Sequence, residues 1–412
     1  MFSLLRRRSF ALLWTGGLIS VAGDWVLHAA LPFYVYQRTG STLATAGMIV
    51  AELVPHVLLG TVAGVFVDRW DRRAILVATN LAQALTVAAL FVVADPGWLW
   101  VVYVVAALQS SLAAFAGPAE TSLVPALVEN ELLVSANALN GLNNRLARLL
   151  GLPLGGVLLA TFGIQAVIVV DLASFLVAAA LISGVQVPLR RVRDAASDVA
   201  DAAVGAFASV LADWRAGLRI IRVRPEIRTV MVILGIATFA GTMLDPLVAA
   251  WVSDELGANA ATYSLLMTTH AVFGIVSSVL IGRWGKRLTP RTMMGWGSLT
   301  AGLISLVKYN VPLVPVAYGL NAGTGMTSVA SAIGIDTHVQ RVVPADYQGR
   351  VFGALGATGA LLSLTGAGVG GIGGEIFGVV PMLTVAALLI VVSGVVVLRA
   401  LPAGPEPAAS VA

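Results

Sequence analysis

The chain has 412 residues, of which 58% are hydrophobic and 11% charged, and its mean hydropathy is +0.91. Soluble domains carry nearer a quarter charged residues, so the composition excludes a soluble fold and predicts an all-α integral membrane protein. There is no cysteine, and the four histidines form no HxxxH or HExxH pattern. Disulfides and thiolate metal sites are thereby excluded, and no metal or cofactor is expected.

A membrane-crossing helix needs ~20 mainly apolar residues. Twelve such spans are predicted, at about 10–36, 43–66, 74–94, 98–118, 138–162, 165–187, 227–252, 261–282, 292–309, 312–335, 350–376 and 381–400. Before the first lies Arg6-Arg-Arg-Ser-Phe-Ala-Leu-Leu13, which imitates a twin-arginine signal. The apolar run behind it is too long for a signal peptide, so it reads as a basic anchor.

Ionisable residues inside a membrane are expensive and usually functional. In span one, Asp24 and His28 lie four apart, hence on one helix face. Glu52 and His56 repeat the arrangement in span two, with Pro55 between them. At ~1.5 Å rise per residue, Asp24 lies ~21 Å from the inner end of its span and Glu52 ~15 Å from the outer end of its own. Those depths are compatible with one shared site slightly outward of the midplane. A carboxylate in low dielectric can carry a proton at neutral pH, and a nearby histidine can tune or relay it. Structural hydrogen-bonded pairs are the alternative reading.

The charge-rich stretch Gly64-Val-Phe-Val-Asp-Arg-Trp-Asp-Arg-Arg73 follows span two. Asp95-Pro-Gly-Trp98 and Phe162-Gly163 are tight turns, so the spans they join form antiparallel hairpins. Span four holds Gln109 and no basic residue, with Glu120 near its inner end as a candidate partner for Arg72 or Arg73. Arg145 and Arg148 open span five and read as basic side chains snorkelling to the inner surface, or as part of an inner gate. Asp171 in span six and His270 in span eight read as structural. Asp245 precedes Pro246 in span seven, where a helix break and a cavity role are both open. Asp336 and His338 close span ten. The run Gly366-Ala-Gly-Val-Gly-Gly-Ile-Gly-Gly374 imitates a phosphate loop but lacks the Lys-Ser/Thr ending and lies in an apolar span, so it reads as a helix-packing surface.

Between spans six and seven the chain is first acidic and small, then basic and amphipathic. Trp214, Leu218 and Ile221 recur at helical spacing beside Arg215, Arg219 and Arg222, which predicts a helix lying on the inner leaflet. The chain thus divides into an N-terminal six-helix bundle (1–189), a cytoplasmic linker (190–226) and a C-terminal six-helix bundle with a short tail (227–412). With both termini cytoplasmic, all but Arg38 and Lys308 of the 25 basic residues fall on the inner side. That bias fixes the orientation. The basic surplus is therefore a topology signal, and no nucleic-acid partner is expected.

The segment Val62–Arg73 aligns with Val276–Arg287 at a constant offset of 214, with identity at Val62, Val65, Arg69, Trp70 and Arg73. Leu154-Gly-Gly156 and Val369-Gly-Gly371 form a weaker echo. The halves read as parallel repeats related by an axis along the membrane normal.

Twelve spans in two similar halves, with this loop, resemble the major facilitator superfamily. Gly64, Asp68, Arg69, Arg72 and Arg73 match that family's Gly-x-x-x-Asp-Arg-x-x-Arg-Arg motif. Gly23-Asp-Trp25, Arg38-Thr-Gly-Ser41, Ser135-Ala-Asn-Ala-Leu139, and Gln340-Arg-Val-Val-Pro344 with Gly349-Arg-Val-Phe352 are similar to its macrolide-efflux and enterobactin-exporter members. Two departures stand out. Gly151-Leu-Pro-Leu-Gly-Gly156 shifts by one the proline of the exporter motif, and span four lacks the arginine of many proton antiporters.

The resemblance implies that Asp68 faces the N-terminus of span eleven near Gly349 and Arg350, latching the cytoplasmic side by about 1–3 kcal/mol. It also implies a secondary exporter of small amphipathic compounds (drug, antibiotic or siderophore), driven by proton antiport through a rocking of the two halves. Its expected setting is the bacterial cytoplasmic membrane, as a multi-pass monomer in the lipid bilayer. Asp24, His28, Glu52, His56, Gln109 and Asp245 are the candidate proton and substrate residues. Gly64, Asp68, Arg69, Arg72, Arg73, Glu120, Gly349 and Arg350 are the candidate gate. A nutrient importer on the same fold, or a non-transporting sensor or lipid-handling protein, are the alternatives. No catalytic constellation supports an enzyme.

Overall fold

A computed structural model describes residues 2–67, 70–186, 214–219, 221–222, 225–285, 288–343 and 345–401. Among the described residues there is no strand, and twelve long helices follow one another. They are α1 (Arg8–Thr39), α2 (Thr42–Val67), α3 (Arg72–Ala88), α4 (Val101–Leu127), α5 (Leu133–Phe162) and α6 (Ile164–Ser183). Then come α7 (Pro225–Ala250), α8 (Ala260–Trp284), α9 (Pro290–Asn310), α10 (Val314–Val342), α11 (Ala345–Phe377) and α12 (Val379–Ala400). Ten of these are long and apolar enough to cross a membrane. The other two, α9 and α10, are diluted by Ser, Thr, Asn and Gly and by Lys308.

Helices suit this composition because lipid offers no partner for a free backbone N–H or C=O. Among the described residues, three of their starts carry a side-chain cap. The Asp71 carboxylate accepts from the N–H groups of Arg73 (2.9 Å) and Ala74 (3.4 Å) at the head of α3. Asn259 accepts from the Thr262 N–H at 3.2 Å to open α8. Thr289 and Thr292 form a capping box ahead of Pro290 in α9. The hinge between α5 and α6 is a single residue, Gly163 (φ 76°), and Gly378 (φ 89°) does the same between α11 and α12. A side chain at either would be strained.

The chain forms two compact units, residues 1–38 with 48–208, and residues 39–47 with 209–412. In the first, α3 packs between α4 and α6. The backbones of α1 and α5 meet where Gly151 and Gly155 leave no room for a side chain. A Cβ on Gly151 would stand 2.5 Å from the Trp25 Cβ, and one on Gly155 would enter the Val26 backbone. In the second unit, α9 packs against α10 and α12, α10 against α8, and α7 against α11 and α12. Gly366 and Gly370 of α11 lie on the backbone of Phe239 and Met243 in α7. The glycine contact of α5 on α1 thus recurs as α11 on α7, at an offset of 215 in the glycines. The duplication read from the loops extends to the packing.

The start of α2 belongs to the second unit. There the Thr42 hydroxyl donates to the Gly371 carbonyl (2.8 Å), and the Ser41 hydroxyl and the Leu43 N–H donate to Glu375.

The amphipathic segment is helical over 214–219, but its apolar side is covered by protein rather than left for lipid. Ile221 is buried with Val230, Met294 and Val339, Trp214 and Leu218 pack on that cluster, and the Trp214 indole donates to Thr358 at 3.2 Å. Arg215, Arg219 and Arg222 are exposed. The sequence pattern marks an apolar face, and the same face serves a bundle as well as a leaflet. Of the expected linker, residues 190–213, 220, 223 and 224 lie outside the described residues.

The two cations that broke the basic-side rule are each held by a tyrosine. Arg38 donates to the Tyr34 hydroxyl (3.2 Å) and lies over its ring at 5.2 Å, and that hydroxyl donates to the Val93 carbonyl at 2.8 Å. Lys308 is buried, donates to Asn321 Oδ1 at 3.0 Å and lies 4.2 Å from the Tyr309 ring centroid. A hydrogen bond to a charged group contributes roughly 1.5–3 kcal/mol. Asn321→Ala should therefore lower stability by about 2 kcal/mol, read as a drop in thermal unfolding temperature in detergent. Lys308→Met in the same background should recover most of the loss.

Candidate proton and substrate site

The site is built on α1, whose rotation is fixed from two sides. Towards α5, the Trp14 indole donates to the Leu139 carbonyl (3.0 Å), and the Asn143 amide donates to the Trp14 carbonyl (2.7 Å). Towards α6, Gly23 lies directly on Ser174 and Asp171, where a Cβ would stand 2.6 Å from Asp171 Oδ1. With Gly23 turned to α6 and Ala22 and Val26 turned to α5, Asp24 and His28 are left on the remaining face.

That face meets α2. His28 Nδ1 lies 3.5 Å from Glu52 Oε1, with the two side chains 48% and 40% exposed, so both remain open to solvent or a ligand. Asp24, half-buried one turn before His28, is near enough to Glu52 for their charges to act on each other. His56 is exposed one turn beyond Glu52. The Trp25 ring stands edge-on to His28 at 5.1 Å, and the Arg148 guanidinium lies over Trp25 at 4.8 Å. Two carboxyls, an imidazole and an indole therefore converge in the first unit. The imidazole pairs with Glu52 when protonated and can hand its proton on when that pairing breaks.

Four of the six candidate residues, Asp24, His28, Glu52 and His56, gather here. Gln109 turns to α3, where its amide donates to the Gln83 carbonyl (3.0 Å) and the Thr86 hydroxyl (2.9 Å). Asp245 lies on α7 in the second unit, where it acts electrostatically on Tyr263 and Tyr309. Arg148 stacks on Trp25, a contact that spacing along the chain does not reveal because 123 positions separate the two.

Of the gate residues, Asp68 and Arg69 lie outside the described residues, as does the side chain of Arg350. Gly64 is in α2, and Gly349 is an exposed residue of α11. Arg72 and Arg73 open α3, and the Arg73 guanidinium donates to the Ser183 carbonyl at the end of α6. Glu120 lies against Gly17 of α1, where a Cβ would stand 3.4 Å from its Oε1.

The fold matches that of a bacterial homologue of the iron transporter ferroportin, with a TM-score of 0.69 and 19% identity over 95% of this chain and 99% of that one. Twelve helices on that plan define a multi-pass membrane fold. The profile described as transmembrane secretion effector matches residues 1–410, and the chain belongs to that family. It is 25% identical to the MFS-type transporter YfiS of Bacillus subtilis (strain 168), over 92% of this chain and 90% of that one. It is 23% identical to macrolide efflux protein A of Streptococcus pyogenes, over 86% of each chain.

Proposed function

We propose that this transporter exports small amphipathic compounds, such as a macrolide-like antibiotic, another toxic drug or a siderophore, in exchange for protons. The observation that carries the reading is the His28–Glu52 contact with Asp24 one turn away, a group of ionisable side chains half open to a ligand beside the Trp25 ring. A site that accepts either a proton or a cationic, aromatic compound needs a carboxylate and an apolar platform together. The macrolide efflux relative supports the direction and the class of cargo. The basic residues at one end of the spans support an orientation with both termini in the cytoplasm.

Access alternates as the two six-helix bundles rock. The motif that holds Gly64 and Asp68 is the proposed cytoplasmic gate.

The test is a panel of macrolides, dyes and siderophores in a bacterial host stripped of its own efflux pumps. Expression should raise resistance to part of the panel, and an uncoupler should abolish the gain. Uptake of a nutrient with no change in resistance would replace export by import.

A further inference from the structure

We infer that Asp171 is a third proton-holding carboxyl of the first unit, set behind α1 at Gly23 and linked electrostatically to Asp24. The inference rests on the proton-coupled reading of the same site and deepens it: protons are held by a set of three carboxyls, Asp24, Glu52 and Asp171.

Asp171 lies on α6 and is 0% exposed. The Ser174 hydroxyl donates to its main-chain carbonyl at 2.7 Å and approaches Oδ1 at 3.4 Å. Oδ2 has no hydrogen-bond partner among the described residues. Within those residues no Lys, Arg or His nitrogen comes within ion-pair distance of the carboxyl. A buried carboxylate with neither a cation nor a full set of donors costs several kcal/mol, and taking up a proton removes that cost.

The surroundings leave Asp24 as the group that sets when the proton leaves. From α1, Gly23 touches Asp171 and the next residue is Asp24, whose charge acts on it. Helix α3, packed along α6, offers buried Thr79, Asn80 and Gln83, and its ionisable residues are Arg72 and Arg73 at its first turn. Helix α5, which also meets α6, brings Arg145 and Arg148, the latter occupied over Trp25. Two carboxyls in one site resist holding two negative charges, so ionisation of Asp24 keeps the proton on Asp171, and neutralising Asp24 lets it go. Events at the open face of α1 are thereby felt on its sealed face.

The test is an infrared difference titration of the full-length protein in lipid, following the carbonyl band of protonated carboxylic acids. Wild type should show a band that is absent from Asp171→Asn and displaced in Asp171→Glu. The glutamate variant also makes the assignment if the asparagine variant does not fold. In Asp24→Asn, the Asp171 band should disappear about one pH unit lower or more than in wild type. A spectrum in which Asp171 contributes no acid band at any pH, or a band unmoved by Asp24→Asn, overturns the inference. Drug extrusion that fails while the linked titration persists refutes export and supports the carboxyl pair.

Discussion

Glu52→Gln is expected to remove proton-driven extrusion almost completely, with a loss on the order of a hundredfold in transport rate. The substitution keeps the size of the side chain and one acceptor oxygen but can neither ionise nor hold an exchangeable acid proton. His28 Nδ1, 3.5 Å from Oε1, then loses the charge that stabilises its imidazolium. A cationic cargo loses its counter-charge as well. Because both side chains are half open, the fold does not depend on the pair, and the variant should reach the membrane with an unchanged unfolding temperature. Asp24→Asn should produce a similar loss, and His28→Gln a smaller one, since the carboxyls still titrate without the relay. Dye extrusion from energised cells, with expression checked by immunoblot, measures all three. Full activity in both carboxyl variants would remove the proton role from this face of α1.

Gly155→Leu should prevent the first unit from assembling, and Gly370→Leu the second. The added side chain at Gly155 has to occupy the space of the Val26 backbone, and that at Gly370 the Met243 backbone. Neither obstacle is the free end of a flexible side chain, so the helices must separate. Overpacking of this kind costs about 3 kcal/mol or more, and small residues at such crossings are what allow membrane helices to pack at all. Loss of the monodisperse peak in size-exclusion chromatography is the expected result for each variant. Gly349→Ala, where a Cβ would meet nothing within 4 Å, is the control that should fold normally. A folded, active Gly155→Leu protein would show that α1 and α5 pack more loosely than their backbones indicate.

Much of this architecture is legible in the sequence because lipid imposes one rule on every span. The apolar runs mark all twelve helices, and the residues at the two sharp hairpins mark where the chain reverses. Helix ends are less legible. The fifth helix starts at Leu133 rather than near 138, and the fourth runs on to Leu127. A helix continues past the apolar zone wherever polar residues such as Asn137 or Glu120 still favour it. The pairing of Asp24, His28 and Glu52 follows from helical spacing within two neighbouring spans. Long-range partners do not: Arg148 finds Trp25, and Gln109 finds Thr86, because of how α5 and α3 lie on their neighbours. The linker shows the opposite limit. Its amphipathic pattern records an apolar face but not whether lipid or protein covers it.

Purified protein in liposomes, given a concentration gradient of a cargo from the resistance panel and a pH-sensitive dye inside, tests proton exchange most directly. Cargo leaving one side should drive protons the opposite way, and the dye signal should vanish in Glu52→Gln. Cargo movement with no proton flux, or with protons moving in the same direction, would contradict antiport through this site.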